Sequence, residues 1–265
     1  MECRRIVSAW CFWVGRRLDL SAAVSCRSAN QDGIGKRCTL PTAKHHEAPK
    51  LRTFELFTLT ALIAAALLIG AGVWTGTTQQ FDQAFLLALR VPGDPTTPIG
   101  PKSLSEMARD VTALGGVAVL TILTLLMTVQ FLLRREWTAA ILVAVSAISG
   151  TMLSNVLKVI FDRPRPDLTA IANYGVGSFP SGHSTASAVV YLTLGMLLAK
   201  AEGQSQMKIF YVAAAIFLTG LVGVSRLYLG VHYPTDVAAG WSIGAAWAIV
   251  CRWVAARFDR RLGSP

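Results

Sequence analysis

Lys158, Arg165, Ser181, Gly182, His183, Arg226, His232 and Asp236 are the residues of this chain whose types and order suit chemistry on a phosphate. Arginine forks match phosphate oxygens two at a time and lysine adds a point charge. Lys158, Arg165 and Arg226 together can therefore hold a phosphoryl group with several charge-assisted bonds. Ser181, Gly182 and His183 follow Pro180 at the start of an apolar run that reads as a helix. Free amides at such an N-terminus, with glycine allowing close approach, form a further anion cradle. Of four histidines, His45 and His46 lie near the N-terminus, and His183 and His232 accompany the cradle residues. A neutral imidazole can attack phosphorus, and a protonated one can supply the leaving oxygen with its proton. Asp236 follows His232 by four residues, one helical turn if a helix starts near Pro234. Its carboxylate can then hold the ring and stabilise its cation.

Each residue alone has an ordinary explanation: a lysine at a helix end as an interface anchor, a histidine as a helix cap, Ser225 and Arg226 as part of a plain loop. Only convergence on one face of the protein points to phosphate chemistry, so the elements that carry them decide the matter. The chain is 53% hydrophobic and 15% charged, against roughly 25% charge in a soluble domain. That disfavours a water-soluble enzyme. Six nearly uncharged stretches, 55–74, 111–133, 137–157, 183–199, 209–225 and 236–250, are candidates to span a bilayer. The last three are short, which suggests ends that run into polar loops packed against protein. Small residues in the third and sixth (Ser146, Ser149, Gly150; Ala238, Ala239, Gly240, Ser242, Gly244) favour a close-packed bundle.

Basic residues at the span ends alternate. One side receives Arg52, Arg134, Arg135, Lys200, Lys208, Arg252, Arg257, Arg260 and Arg261, and should be the cytoplasm with both termini. Segments 76–110, 158–182 and 226–235 then face outward, and the last two hold the candidate chemistry. Segment 76–110 reads as a loop with a short amphipathic piece over 81–89 that lies along the membrane surface. Lys158, Arg165 and Arg226 sit at outer span ends, where the inside-positive bias does not place them, so an anion is their expected partner.

Residues 1–52 hold 14 of the 40 charged side chains and much of the net charge of +10. They read as a basic, disordered cytoplasmic extension or as residues upstream of the natural start. The short apolar patch at 6–15, flanked by arginine pairs, lacks the cleavage pattern of a signal peptide. The expected organisation is a tail over 1–52, a membrane domain over 53–258 and a short basic cytoplasmic tail over 259–265. No folded basic surface suited to nucleic acid is expected. Cys3, Cys11, Cys26, Cys38 and Cys251 predict neither a disulfide framework nor a zinc site.

Three segments carry a resemblance: KVIFDRPRP from Lys158 to Pro166, PSGH from Pro180 to His183, and SRLYLGVHYPTD from Ser225 to Asp236. In order and spacing they are similar to KxxxxxxRP, PSGH and SRxxxxxHxxxD, the signatures of the type 2 phosphatidic acid phosphatase superfamily, lipid phosphate phosphatases that share an active site with vanadium haloperoxidases. The resemblance spans roughly 54–258. It implies an all-α bundle of six transmembrane helices in the cell (inner) membrane, with the site at the periplasmic or extracytoplasmic face. It further implies that Lys158, Arg165, Ser181, Gly182 and Arg226 bind phosphate, that His232 is the nucleophile forming a phosphohistidine, that Asp236 orients it, and that His183 is the general acid. No metal and no cofactor are implied. The partners implied are the lipid phosphate substrate and the surrounding membrane lipids.

The motifs read the phosphate, so undecaprenyl diphosphate, phosphatidate, phosphatidylglycerophosphate and diacylglycerol pyrophosphate all remain candidate substrates. Arg163 and Tyr228 are expected either to contact a second phosphate or headgroup or, for Arg163, to pair with Asp162 or Asp167 on a solvated loop. A phosphotransferase using the same phosphohistidine, and a transporter or flippase that binds lipid phosphate without cleaving it, stay open as alternatives. Spans uncharged at their centres disfavour the transporter, and six spans disfavour a soluble haloperoxidase.

Overall fold

The computed structural model describes residues 49–168 and 177–262, and residues 1–48 of the basic tail lie outside that description. The helices in chain order are α1 (Pro49–Trp74), α2 (Gln79–Ala88), α3 (Lys102–Ala113), α4 (Val117–Leu133), α5 (Trp137–Phe161), α6 (Gly182–Ala201), α7 (Ser205–Tyr228) and α8 (Pro234–Leu262). A small antiparallel hairpin, β1 (Arg90–Val91) and β2 (Asp94–Pro98), joins α2 to α3. Among the described residues, six stretches are long and apolar enough to cross a membrane: Thr53–Trp74, Lys102–Leu133, Trp137–Phe161, Gly182–Ala201, Ser205–Tyr228 and Pro234–Phe258.

The six spans stand, with corrections to their ends. The last three are 20, 24 and 29 residues long, because their polar ends continue the helices where these pack on protein. α8 runs to Leu262 and so takes in the first residues of the expected basic tail, and α1 starts at Pro49, before the expected boundary at 52. The second span is two helices, α3 and α4, broken at Leu114–Gly116. The carbonyl of Leu114 accepts a 2.7 Å bond from Tyr191 Oη of α6, so the break costs no orphaned acceptor. A Cβ on Gly115 would stand 2.3 Å from Val222 of α7, and this close approach is what glycine permits. The expected loop over 76–110 is instead α2, the hairpin and the start of α3.

α6 is the central helix. It packs on α5, α7 and α8, while α1 lies against α8 and α4 against α5. A helix apolar on every face must be enclosed, and α6 buries Ala188, Val189, Val190, Tyr191 and Leu194 together with Ser184, Thr185, Ser187 and Thr193. The outer helices carry the exposed large side chains, among them Phe57, Leu68, Val117, Leu133 and Val159. That is the reverse of a soluble protein and suits a lipid surround. The small residues of α8 allow its backbone to touch α6: a Cβ on Gly244 would lie 2.6 Å from both Ala188 Cβ and the Thr185 carbonyl. Gly244→Val therefore drives the two helices apart and should lower detergent-solubilised stability by about 2 kcal/mol or more. A thermal melt checks it, and an unchanged melt would contradict the packing.

Toward the C-terminal end of α8, Glu55 of α1 is ion-paired with Arg252 and accepts a 2.9 Å bond from Trp253 Nε1. Arg252 thus pairs two helices.

Candidate active site

The C-terminal end of α5 supplies Lys158, which is 6% exposed. Its ammonium donates to the Gly177 carbonyl at 3.0 Å, and a Cβ on Gly182 would come within 3.5 Å of Lys158 Cε. Lys158 is therefore directed at the start of α6, and the bare α-carbon of Gly182 leaves room for it. α5 ends on Asp162 in the left-handed conformation, which turns the chain into the segment carrying Arg163 and Arg165.

Ser181 is the N-cap of α6. Its oxygen accepts from Ser184 N at 3.5 Å and from Ser184 Oγ at 3.0 Å, and its own amide donates to the Asp236 carbonyl at 3.0 Å. The amides of Gly182 and His183 open the first turn, where no carbonyl lies one turn behind to receive them. A Cβ on Gly240 would meet the Ser181 carbonyl at 2.9 Å, so α8 presses directly against this helix start.

Arg226, in the last turn of α7, donates from Nη1 to Thr112 Oγ1 of α3 at 3.3 Å, and its buried Nε meets no protein acceptor among the described residues. Arg165 donates from Nη1 to the carbonyl of Val231, the residue before His232, at 3.3 Å. His183 lies within electrostatic reach of Arg226, His232, Lys158 and Arg165. The cations and both histidines thus share one end of the bundle.

His232 is 1% exposed and stands between α7 and α8. The expected helix start at Pro234 is found, and it brings Asp236 Oδ2 to 3.4 Å from His232 Nδ1. That separation is long for a hydrogen bond, and the contact is an electrostatic pairing that fixes which nitrogen faces the carboxylate. Nε2, on the far edge of the ring, is the nitrogen turned away from the carboxylate. Burial lowers the His232 pKa to about 4; Asp236 pulls it upward, and Arg226 and Arg165 add to the fall. The net effect favours the neutral ring.

Reasoning from sequence missed what holds Asp236. Its Oδ1 accepts from Arg163 Nη1 at 2.6 Å and its Oδ2 from the Tyr233 amide at 3.0 Å. Arg163 also donates from Nη2 to Asp82 Oδ2 at 2.7 Å and lies 4.2 Å from the centre of the Tyr233 ring. This overturns the pairing with Asp162 or Asp167, both exposed, and the second-phosphate role: the Arg163 side chain is 10% exposed and turned onto two buried carboxylates. Burial opposes its charge, but Asp236 and Asp82 outweigh that and raise its pKa. Tyr228 is likewise committed, its hydroxyl donating to the Ile99 carbonyl at 2.7 Å. Arg90, 4% exposed, donates to the Tyr228 carbonyl at 2.9 Å. Its guanidinium fills the place a Cβ would take on Gly230, and so braces the turn leading to His232.

A buried cluster of cations at one end of a bundle of membrane helices, with two histidines and a helix start, is a setting suited to a phosphate group. The PAP2 superfamily profile matches residues 139–260. Phosphatidylglycerophosphatase B of Bacillus subtilis is 32% identical over 181 residues, covering 67% of this chain and 85% of that protein. A lipid A 1-phosphatase of Rhizobium johnstonii is 32% identical over 134 residues, covering 46% of this chain and 50% of that protein. The crystal structure of a transmembrane PAP2 type phosphatidylglycerolphosphate phosphatase from Bacillus subtilis superposes with a TM-score of 0.67 at 29% identity, covering 77% of this chain and 97% of that one. The chain belongs to the PAP2 superfamily and is an integral membrane protein.

Proposed function

We propose that this chain is a lipid phosphate phosphatase that hydrolyses a phosphate monoester or diphosphate through a phosphohistidine on His232. The observation that carries the reading is the placement of His232: Nδ1 against Asp236, and Arg165 and Arg226 close enough to act on the ring. Lys158, Arg165 and Arg226, the Ser181 hydroxyl and the Gly182 amide hold the phosphoryl oxygens and stabilise their charge as the transition state forms. His232 Nε2 attacks phosphorus, a P–N bond forms, and the P–O bond to the lipid breaks. His183 gives its proton to the departing oxygen. Water then attacks the phosphohistidine, its proton passes to His183, the P–N bond breaks and inorganic phosphate leaves.

The reacting end of the bundle faces away from the cytoplasm in this reading, because the inner ends carry Arg134, Arg135, Lys200, Lys208 and Arg257. The hairpin at 90–98 is on the reacting side, and Thr97 is exposed there. Thr97→Cys should react with a membrane-impermeant maleimide in intact cells, whereas the native cysteines should react only after lysis. Labelling of Thr97→Cys that requires lysis would invert the topology.

Similarity to a phosphatidylglycerophosphatase and a lipid A 1-phosphatase supports a lipid carrying a terminal phosphate as substrate. The test is phosphate release by the solubilised protein, with EDTA present, from phosphatidylglycerophosphate, phosphatidate, undecaprenyl diphosphate and a soluble ester in parallel. Release from a lipid in preference to the soluble ester is expected. Release from the soluble ester alone, or transfer of the phosphate to an added alcohol in place of water, would contradict the proposal.

A further inference from the structure

Asp82 is fully buried on α2, a helix far from the three motif segments in sequence. Its Oδ1 accepts from the Thr235 amide at 3.1 Å, and its Oδ2 accepts from Thr235 Oγ1 at 2.6 Å and Arg163 Nη2 at 2.7 Å. Arg163 Nη1 reaches both Thr235 Oγ1 at 2.8 Å and Asp236 Oδ1 at 2.6 Å. Two carboxylates therefore share one guanidinium, and one negative charge is left over in a buried place beside His232.

The count matters because Asp236 has two cationic claims on it. A guanidinium at 2.6 Å in a poorly screened interior binds a lone carboxylate strongly and draws on the charge that would otherwise support the ring. His232 needs that charge most as it becomes a phosphorylated imidazolium. A second carboxylate on the opposite edge of Arg163 satisfies the guanidinium without giving up Asp236. We propose that Asp82 is a positioning residue for the reaction: by neutralising Arg163 it keeps the charge of Asp236 available to His232. The proposal rests on the reading of His232 as the nucleophile.

A purely structural role and a charge role separate in a double-variant cycle. Asp82→Asn keeps the shape and removes one negative charge, Arg163→Gln removes the positive charge, and the double variant restores the original net charge. With the full-length protein and a lipid phosphate substrate, Asp82→Asn should lose about 10- to 100-fold in kcat with KM changed little, because Arg163 then draws on Asp236 alone. Arg163→Gln should lose less, because Asp236 is then free of the guanidinium. The double variant should recover at least about 10-fold over the poorer single, a coupling in the range that contacting residues show. Losses that multiply in the double, or Asp82→Asn with unchanged kcat, would overturn the proposal. If Asp82→Asn does not accumulate, the double still decides: folded, active protein supports charge pairing, and a double that is absent or inactive overturns it. His232→Ala measured alongside keeps the two ideas apart. A dead His232→Ala with multiplying losses removes the role of Asp82 alone, whereas an active one removes the nucleophile and this proposal with it.

Discussion

His232→Ala should reduce phosphate release from a lipid phosphate by at least about 10⁴-fold, since the proposed reaction gives the attack on phosphorus to this ring. The ring is enclosed between the end of α7 and the start of α8, with Arg165 bound to the preceding carbonyl and Asp236 at its Nδ1. Removing it takes away the attacking atom and leaves the phosphate-holding groups in place. Lipid phosphate binding should therefore survive, and the variant should trap substrate in a complex that does not turn over. Activity assays and binding of a non-hydrolysable lipid phosphonate, done on the same preparation, check both halves. Substantial residual turnover would mean that another residue attacks phosphorus, and loss of binding would mean that His232 is part of the cradle.

Asp236→Asn should cost about 10³- to 10⁴-fold in kcat, with a smaller effect on KM. A carboxylate that holds an imidazole works by charge and by tautomer, and an amide of the same shape keeps neither reliably. The effect here has a second source. Asp236 also accepts Arg163 Nη1 on Oδ1 and the Tyr233 amide on Oδ2, so the substitution leaves Arg163 with Asp82 alone and loosens the first turn of α8. The kinetic loss should come with a lower melting temperature, whereas His232→Ala should leave the melting temperature closer to that of the unaltered protein. A variant with near-normal kcat would contradict the role given to Asp236.

The two parts of the site differ in how far sequence could reveal them. Lys158, Arg165, Ser181, Gly182, His183, Arg226, His232 and Asp236 announce themselves because polar residues at the ends of apolar spans need a reason to be there. The turn from His232 to Asp236 is also local: proline at the first helical position fixes the start of α8, and four residues make one turn. Asp82 carries no such signal. It sits in a short amphipathic helix, where a carboxylate reads as a solvated face, and only the packing of α2 beneath α8 buries it. For the same reason the sequence offers Arg163 only a second phosphate or its near neighbours Asp162 and Asp167; Asp162 adopts the left-handed turn that ends α5, and the side chain of Arg163 is sent across to Asp82 and Asp236. The break between α3 and α4 has one signal in the sequence, the pair Gly115 and Gly116 inside an apolar run, and the partner that satisfies the Leu114 carbonyl, Tyr191, lies 77 residues away.

The central claim is that the phosphate passes through a covalent bond to His232. The most direct measurement mixes the full-length protein with a lipid bearing a radiolabelled phosphate, quenches in alkali, where a phosphohistidine survives, and maps the labelled peptide. Label on the peptide that contains His232, absent from His232→Ala, is the predicted result. Label on another residue, or steady turnover with no labelled protein at any time, would contradict it.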